Sequence, residues 1–66
     1  MKVYYLKNKQ GSYARFDVYE GWVADDNILF AYVFPCLDEA KDFKNIVNYT
    51  MVCPENNFRV VSRKIK

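Results

Sequence analysis

A short apolar run and a segment of alternating polar and apolar residues in the first third of the chain predict two strands joined by a tight turn. Residues 3–6 form a short apolar run that is typical of a β-strand. Residues 8–11 end in Gly11, which can adopt the positive φ of a hairpin turn. In residues 13–19 one face carries Tyr13, Arg15, Asp17 and Tyr19, and the other carries Ala14, Phe16 and Val18. The apolar set predicts the core face, and the mixed set predicts a solvated or binding face.

The middle of the chain predicts a third strand after a bend. Gly21 and Trp22 indicate a bend or bulge that continues into two small apolar residues. Residues 25–27 are polar and predict a turn. Residues 28–34 are apolar on both alternating faces, which predicts a central strand buried on both sides or sealed on one side by a partner. Pro35 ends this strand.

An amphipathic helix is predicted over residues 37–48. Apolar residues recur there at spacings of three and four, namely Leu37, Ala40, Phe43, Ile46 and Val47. Cys36 stands at the N-cap position, where a thiol replaces the usual hydroxyl, and Glu39 stands at the capping-box position. Residues 49–53 are compatible with a helix end or a short strand. Residues 58–63 predict the last strand, with Phe58 and Val60 facing inward.

These elements predict one α+β domain over residues 1–66. Three strands, a helix and a closing strand give the order β-β-β-α-β, in a small antiparallel sheet of four to five strands with one α-helix packed on one face. The pattern does not decide which face the helix covers.

The small size limits how the fold is stabilised. A chain of 66 residues buries only about 60% of its unfolded surface, so small domains commonly add disulfides, metals or self-association. Cys36 and Cys53 are the only cysteines, and the chain has no histidine. We therefore expect free thiols, no metal and no cofactor, and stability from an aromatic core or from self-association.

Several functional classes are disfavoured by what the sequence lacks. Without histidine there is no imidazole base, and with two glycines there is no phosphate-binding loop, so we expect no catalytic residues and no enzyme. The longest apolar run, residues 28–37, is too short to span a membrane and contains Pro35. The first ten residues lack the apolar core of a secretory signal. A cytoplasmic protein is expected.

Charge is distributed in three blocks. Residues 1–16 have four basic and no acidic side chains, residues 17–42 have seven acids and one lysine, and residues 43–66 have five basic side chains and one acid. If the terminal strands are neighbours, one sheet edge is basic and the other end is acidic. The basic side chains either protect exposed sheet edges from aggregation or form a charge patch that is used in binding.

Aromatic residues suggest a binding module. The chain has one Trp, six Tyr and five Phe, and one helix covers only one face of a sheet. Aromatics on the other face must contact a second copy, a partner protein or a flat ligand, and Tyr, Trp and Arg dominate binding hot spots. The candidate partner-binding residues are Tyr13, Arg15, Tyr19, Trp22, Asp25 and Asp26. The alternatives are core packing for Trp22 and a sheet-stabilising aromatic ladder for the tyrosines.

Three segments resemble small open reading frames of phages and mobile elements: KVYYLKNKQGSYARFD, FAYVFPCLDEAKDFK and FRVVSRKI. Such chains share a strand-to-helix passage, A-x-x-F-x-x-x-x-E-A, which is matched here by Ala31, Phe34, Glu39 and Ala40. The chain departs from that pattern at the cap, Cys36. The resemblance implies a phage accessory protein in the host cytoplasm, a class that commonly inhibits host defence and includes anti-CRISPR proteins. It assigns no site residues.

Three hypotheses follow. The first is a non-catalytic inhibitor that binds a host defence or regulatory protein through an aromatic and charged sheet face, with acidic residues favouring a nucleic-acid-binding target. The second is a module that sequesters a nucleotide or single-stranded nucleic acid by stacking on tyrosines. The third is a self-assembling structural protein, in the simplest case a homodimer.

Overall fold

Three closely spaced strands, a helix and a final strand form a small α+β fold, as the sequence predicts. The computed structural model describes residues 1–50 and 57–65. Its elements are β1 (Lys2–Lys7), β2 (Tyr13–Asp17), β3 (Gly21–Asp25), a 3-10 helix (Ile28–Phe30), α1 (Leu37–Thr50) and β4 (Arg59–Lys64). The four strands form one antiparallel sheet in the order β3-β2-β1-β4.

The first and last strands of the chain are neighbours in the sheet. β4 pairs with β1 along its whole length, from Lys2 opposite Lys64 to Lys7 opposite Arg59. Among the strands that the structure describes, β3 and β4 therefore lie at the two edges of the sheet. Because both terminal blocks of the sequence are basic, β1 and β4 bring their basic side chains to the same end of the sheet.

Short polar side chains shape both hairpin turns. Asn8 Oδ1 accepts hydrogen bonds from the backbone N–H groups of Gln10 and Ser12, at 3.0 and 2.8 Å. Gly11 completes this turn with φ +88°, a conformation that glycine adopts without strain. Asn8 is 2% exposed, so its side chain is an integral part of the turn.

The second hairpin is tighter than the sequence pattern suggests. Asp17 Oδ1 accepts hydrogen bonds from the N–H groups of Tyr19 and Glu20, at 2.7 and 3.1 Å. Gly21 then takes φ +81° and begins β3 opposite Asp17. The predicted strand over residues 13–19 is therefore two residues too long, because the Asp17 side chain satisfies the backbone donors of a turn.

The predicted third strand over residues 28–34 is wrong. The third strand is β3, and residues 28–30 form a 3-10 helix. Asn27 starts that helix, since its side chain accepts a hydrogen bond from the Leu29 N–H at 2.9 Å. A short apolar run does not distinguish a strand from a helical turn, and the Asn27 cap decides between them.

The end of this apolar run nevertheless joins the sheet. Phe34 exchanges two backbone hydrogen bonds with Tyr4 of β1, at 2.8 and 2.9 Å, and the Tyr32 N–H donates to Ala14 O of β2 at 2.9 Å. β1 and β2 pair directly at Lys7 and Tyr13, beside their turn. Residues 32–34 thus lie between the diverging ends of β1 and β2.

The core lies between the sheet and α1. Its buried members are Leu6, Ala14, Phe34, Ala40, Val47 and Phe58. The helix packs against β1 and β4. This confirms the predicted inward positions of Phe58 and Val60, since Phe58 is buried and Val60 packs against the core.

The helix extends two residues beyond its predicted end. It begins at Leu37, and the carbonyl of Cys36 accepts the first helical hydrogen bond, from the Ala40 N–H at 3.1 Å. Cys36 is exposed and free. Tyr49 and Thr50 belong to the helix, whereas the rest of the ambiguous segment, with Cys53, lies outside the described residues.

Candidate binding surfaces

Half of the predicted site residues share the sheet face that is opposite α1. Arg15 Nε donates to Asp25 Oδ2 at 3.1 Å, and Arg15 Nη1 lies 3.5 Å from Asp17 Oδ2. The three side chains are about one-third exposed or less. Ion pairs with this exposure stabilise a fold by about 0–1 kcal/mol, so their main effect here is to orient Arg15 across β2 and β3.

Tyr13 lies on the same face and contacts two side chains of β1. Its ring contacts Tyr5 edge-on, with centroids 5.9 Å apart, and Lys7 Nζ lies 5.6 Å from its centroid. Tyr5 is only 5% exposed. We call the face opposite α1 the open face. Tyr5 and Tyr13 form a cross-strand aromatic contact there, but Tyr19 does not join it as the predicted ladder requires.

The other three predicted residues lie elsewhere. Tyr19 is 94% exposed, but it lies in the turn after β2 and does not share the strand face of Tyr13. Asp26 follows β3, and its Oδ1 accepts a hydrogen bond from Ser12 Oγ. Trp22 stands opposite Phe16 on the face that carries the helix. The six predicted residues therefore do not form one continuous site.

Trp22 is the centre of an aromatic cluster that the sequence analysis did not predict. Its ring contacts Phe16 and Tyr32 at centroid distances of 5.4 Å and Phe43 at 6.0 Å, all in edge-to-face geometry. Tyr32 contacts Phe34, which is fully buried, at 4.8 Å. We call the set Phe16, Trp22, Tyr32 and Phe43 the aromatic surface.

The aromatic surface is partly open to solvent. Phe16 is 51% exposed and Tyr32 is 41% exposed, while Trp22 and Phe43 are half-buried. The cause is the position of the helix, which packs on β1 and β4 and leaves β2 and β3 less covered on the same face. Edge-to-face contacts, worth about 0.5–1.5 kcal/mol each, restrict the orientations of these rings.

Sequence reasoning assigned two of these residues to other environments. The alternation of Phe16 with Ala14 predicts a core position for Phe16, and the apolar run over residues 28–34 predicts a central strand for Tyr32. Gly21 is the signal in the sequence that could have predicted the Phe16–Trp22 contact. A hairpin with its turn over residues 18–20 places Trp22 directly opposite Phe16. The contribution of Tyr32 depends on the insertion between β1 and β2, which no local pattern indicates.

Charge separates the two ends of the sheet. The β1–β4 pair carries Lys2, Lys7, Arg59, Arg63 and Lys64, and the β2–β3 hairpin carries Asp17, Glu20, Asp25 and Asp26 with Arg15. Hydrogen bonds from the N–H groups of Tyr19 and Glu20, with a smaller contribution from Arg15, hold the pKa of Asp17 below its ordinary value of 3.8. Asp17 is therefore ionised at neutral pH and reinforces the acidic end.

Within residues 1–50 and 57–65, no group of three or more Cys, Asp or Glu side chains could hold a metal ion. No helix in this part of the chain is long and apolar enough to cross a membrane. No family model, curated protein or solved structure matches the chain.

Proposed function

We propose that the chain is a non-catalytic inhibitor that binds a bacterial host protein, and that the aromatic surface is the contact. The observation that carries the proposal is the group of rings around Trp22. Tyr32 packs on the buried Phe34, Trp22 contacts both Tyr32 and Phe16, and Phe16 and Tyr32 are half-exposed. Rigid aromatic anchors supply large contact areas at low entropic cost, which is why they dominate binding hot spots.

Charge favours a particular class of target. The acidic side chains of the β2–β3 hairpin lie on the strands that carry Phe16 and Trp22. Asp17 and Asp25 lie on the open face, and Glu20 and Asp26 lie beyond the strand ends, so the acidic charge lies beside the aromatic surface and does not surround it. Acidic charge beside an apolar contact suits a basic groove, since complementary charge accelerates association and excludes acidic competitors. We therefore propose a nucleic-acid-binding defence or regulatory protein as the target, in the phage anti-defence role that the sequence resemblance implies.

The test is affinity capture from bacterial lysate with the whole chain as bait. We expect one host protein in stoichiometric amount, identified by mass spectrometry, and we expect its recovery to fall at least tenfold with Phe16→Ala combined with Tyr32→Ala. A hot-spot residue costs about 2 kcal/mol or more, so losing two residues gives an effect of this size. Heat-released nucleotide in place of a protein would contradict the proposal and favour ligand sequestration.

Matched variants separate the two sheet faces. Tyr49→Ala removes an aromatic ring that is 85% exposed on the helix, and it should leave capture unchanged. Tyr13→Ala with Arg15→Ala changes the open face. If this second pair abolishes capture while the Phe16 and Tyr32 changes do not, and circular dichroism shows that each variant is folded, the contact is the open face and the aromatic surface is excluded.

A further inference from the structure

The two edges of the sheet are complementary in charge and in backbone direction. β3 forms one edge beside the acidic side chains of its hairpin, and β4 forms the other edge with Arg59, Arg63 and Lys64. Each strand in the order β3-β2-β1-β4 is antiparallel to its neighbour. β3 and β4 therefore run in opposite directions, and a second copy placed beside the first by translation would continue the sheet as an antiparallel pair.

The backbone groups that such a contact needs point outward. The Ala14 carbonyl accepts a hydrogen bond from the Tyr32 N–H, on the side of β2 away from β3. Its partner Ala24 therefore directs its own N–H and C=O away from β2, and so does Trp22. Tyr4 bonds Phe34 on the side away from β4. Because Ser62 lies opposite Tyr4, the Ser62 backbone groups point away from β1. The same holds for Val60 and Lys64, which alternate with Ser62 along β4.

One register between β3 of one copy and β4 of the next satisfies the backbone, apolar and charge pairings together. With Ala24 opposite Val60 of a second copy, Trp22 faces Ser62, and Val23 faces Val61 on the open face. The same register places acids opposite bases, namely Asp25 opposite Arg59 and Glu20 opposite Lys64. If the register shifts by two residues in either direction, Val23 lies opposite Arg59 or Arg63, and Asp25 lies opposite Asn57 or Val61. If the register shifts by one residue, side chains of the two copies that belong on opposite faces lie opposite each other.

Symmetric contacts between like edges are disfavoured. Two β3 edges paired about Val23 would bring Glu20 against Asp26, and two β4 edges would bring cations together. Within one copy, β4 already has like charges opposite on β1, at Lys2–Lys64 and Lys7–Arg59. Like charges directly opposite are destabilising, and acids from a neighbouring β3 would relieve this repulsion.

From these observations we propose that the chain associates with a second copy head to tail, by pairing β3 of one copy with β4 of the next. Such a heterologous contact does not close on itself as a twofold dimer and can extend into larger assemblies. The inference does not rest on the proposed function, since it uses strand edges and charges and not the exposed rings of Phe16 and Tyr32.

Edge-blocked variants test the proposal in analytical ultracentrifugation. Ala24→Pro and Ser62→Pro each remove one outward N–H from one edge, where proline is tolerated. We expect the unmodified chain to form oligomers at high concentration that dissociate in salt, each variant alone to be monomeric, and an equimolar mixture of the two to form a dimer. The mixture retains one intact β3 edge and one intact β4 edge.

Other outcomes overturn the proposal. A chain that stays monomeric at all concentrations, a Ser62→Pro variant that dimerises by itself, or a mixture that stays monomeric would each exclude head-to-tail pairing. Circular dichroism establishes that both variants fold. Arg59→Glu with Lys64→Glu serves as a second disruption that leaves the backbone unchanged, and it should weaken self-association of the otherwise unmodified chain at least tenfold.

Discussion

Asp17 shows how one side chain can set the length of a strand. Its carboxylate accepts hydrogen bonds from the backbone N–H groups of Tyr19 and Glu20 and contacts Arg15. The chain therefore turns at a point where alternation alone predicts that the strand continues. The same contacts lower the pKa of Asp17. A carboxylate whose folded pKa is depressed contributes stability above its unfolded pKa, and this contribution is lost as the pH falls through the folded value.

The stability of the fold should therefore depend on Asp17 at acid pH. As the pH is lowered through 3.8, the ordinary pKa, we expect the melting temperature of the unmodified chain to fall more steeply than that of Asp17→Asn. Glu20→Gln is the control, because it removes a charge from the same turn but not the acceptor of these hydrogen bonds. Thermal denaturation followed by circular dichroism measures the slopes, and equal slopes for all three chains would contradict the assignment.

Asn48 connects the helix to the last strand. Its side chain accepts from the Phe58 N–H at 2.7 Å and donates to the Phe58 carbonyl at 3.0 Å, as a neighbouring strand would. Phe58 is buried, so truncation leaves its backbone groups without this partner. We expect Asn48→Ala to lower the free energy of unfolding by about 1–3 kcal/mol in urea titrations.

Asn45 provides the comparison for that measurement. It is exposed on the same helix, and Asn45→Ala should change the free energy of unfolding little. Asn48→Asp keeps the acceptor but loses the donor, and it should fall between the two. Equal stabilities for Asn45→Ala and Asn48→Ala would show that the bidentate contact does not contribute.

At the level of elements, the sequence predicts the helix and three of the four strands, but it predicts a bend and a turn where the structure has β3 and a strand where it has an irregular connection. The helix follows from its apolar spacing, the first strand from a short apolar run, and the second and last strands from alternation, because these patterns report burial against a single neighbour. The conformation of residues 28–34 is determined by two features that alternation does not reveal. The Asn27 side chain caps a 3-10 helix, and residues 32–34 pair with β1 and β2 where these strands diverge. The aromatic surface could not be predicted for the same reason, since Tyr32 reaches Trp22 only through the gap between β1 and β2.

Amide hydrogen exchange tests the inserted segment. The Tyr32 and Phe34 N–H groups donate to β2 and β1, so we expect them to exchange slowly, through global opening. The Val33 N–H has no backbone acceptor in the described part of the chain, and it should exchange much faster. If the three amides exchange at similar rates, residues 32–34 are not part of the sheet.

For the molecule as a whole, the position of the helix determines which surface is available. Because α1 packs on β1 and β4, one half of its sheet face becomes core and the other half retains exposed rings. On the open face, the side chains of Tyr13 and Arg15 already have partners within the sheet, namely the Tyr5 ring and the carboxylates of Asp17 and Asp25. This asymmetry is the physical basis for placing the partner contact around Trp22.

Site-specific photo-crosslinking in bacterial cells tests that placement most directly. A photoreactive phenylalanine analogue replaces Phe16 on the aromatic surface, Tyr13 on the open face or Tyr49 on the outer side of the helix, one position at a time. We predict a crosslink to a single host protein from position 16 and none from positions 13 or 49. A crosslink to a host protein from position 13, with none from position 16, would contradict the aromatic surface as the site of binding.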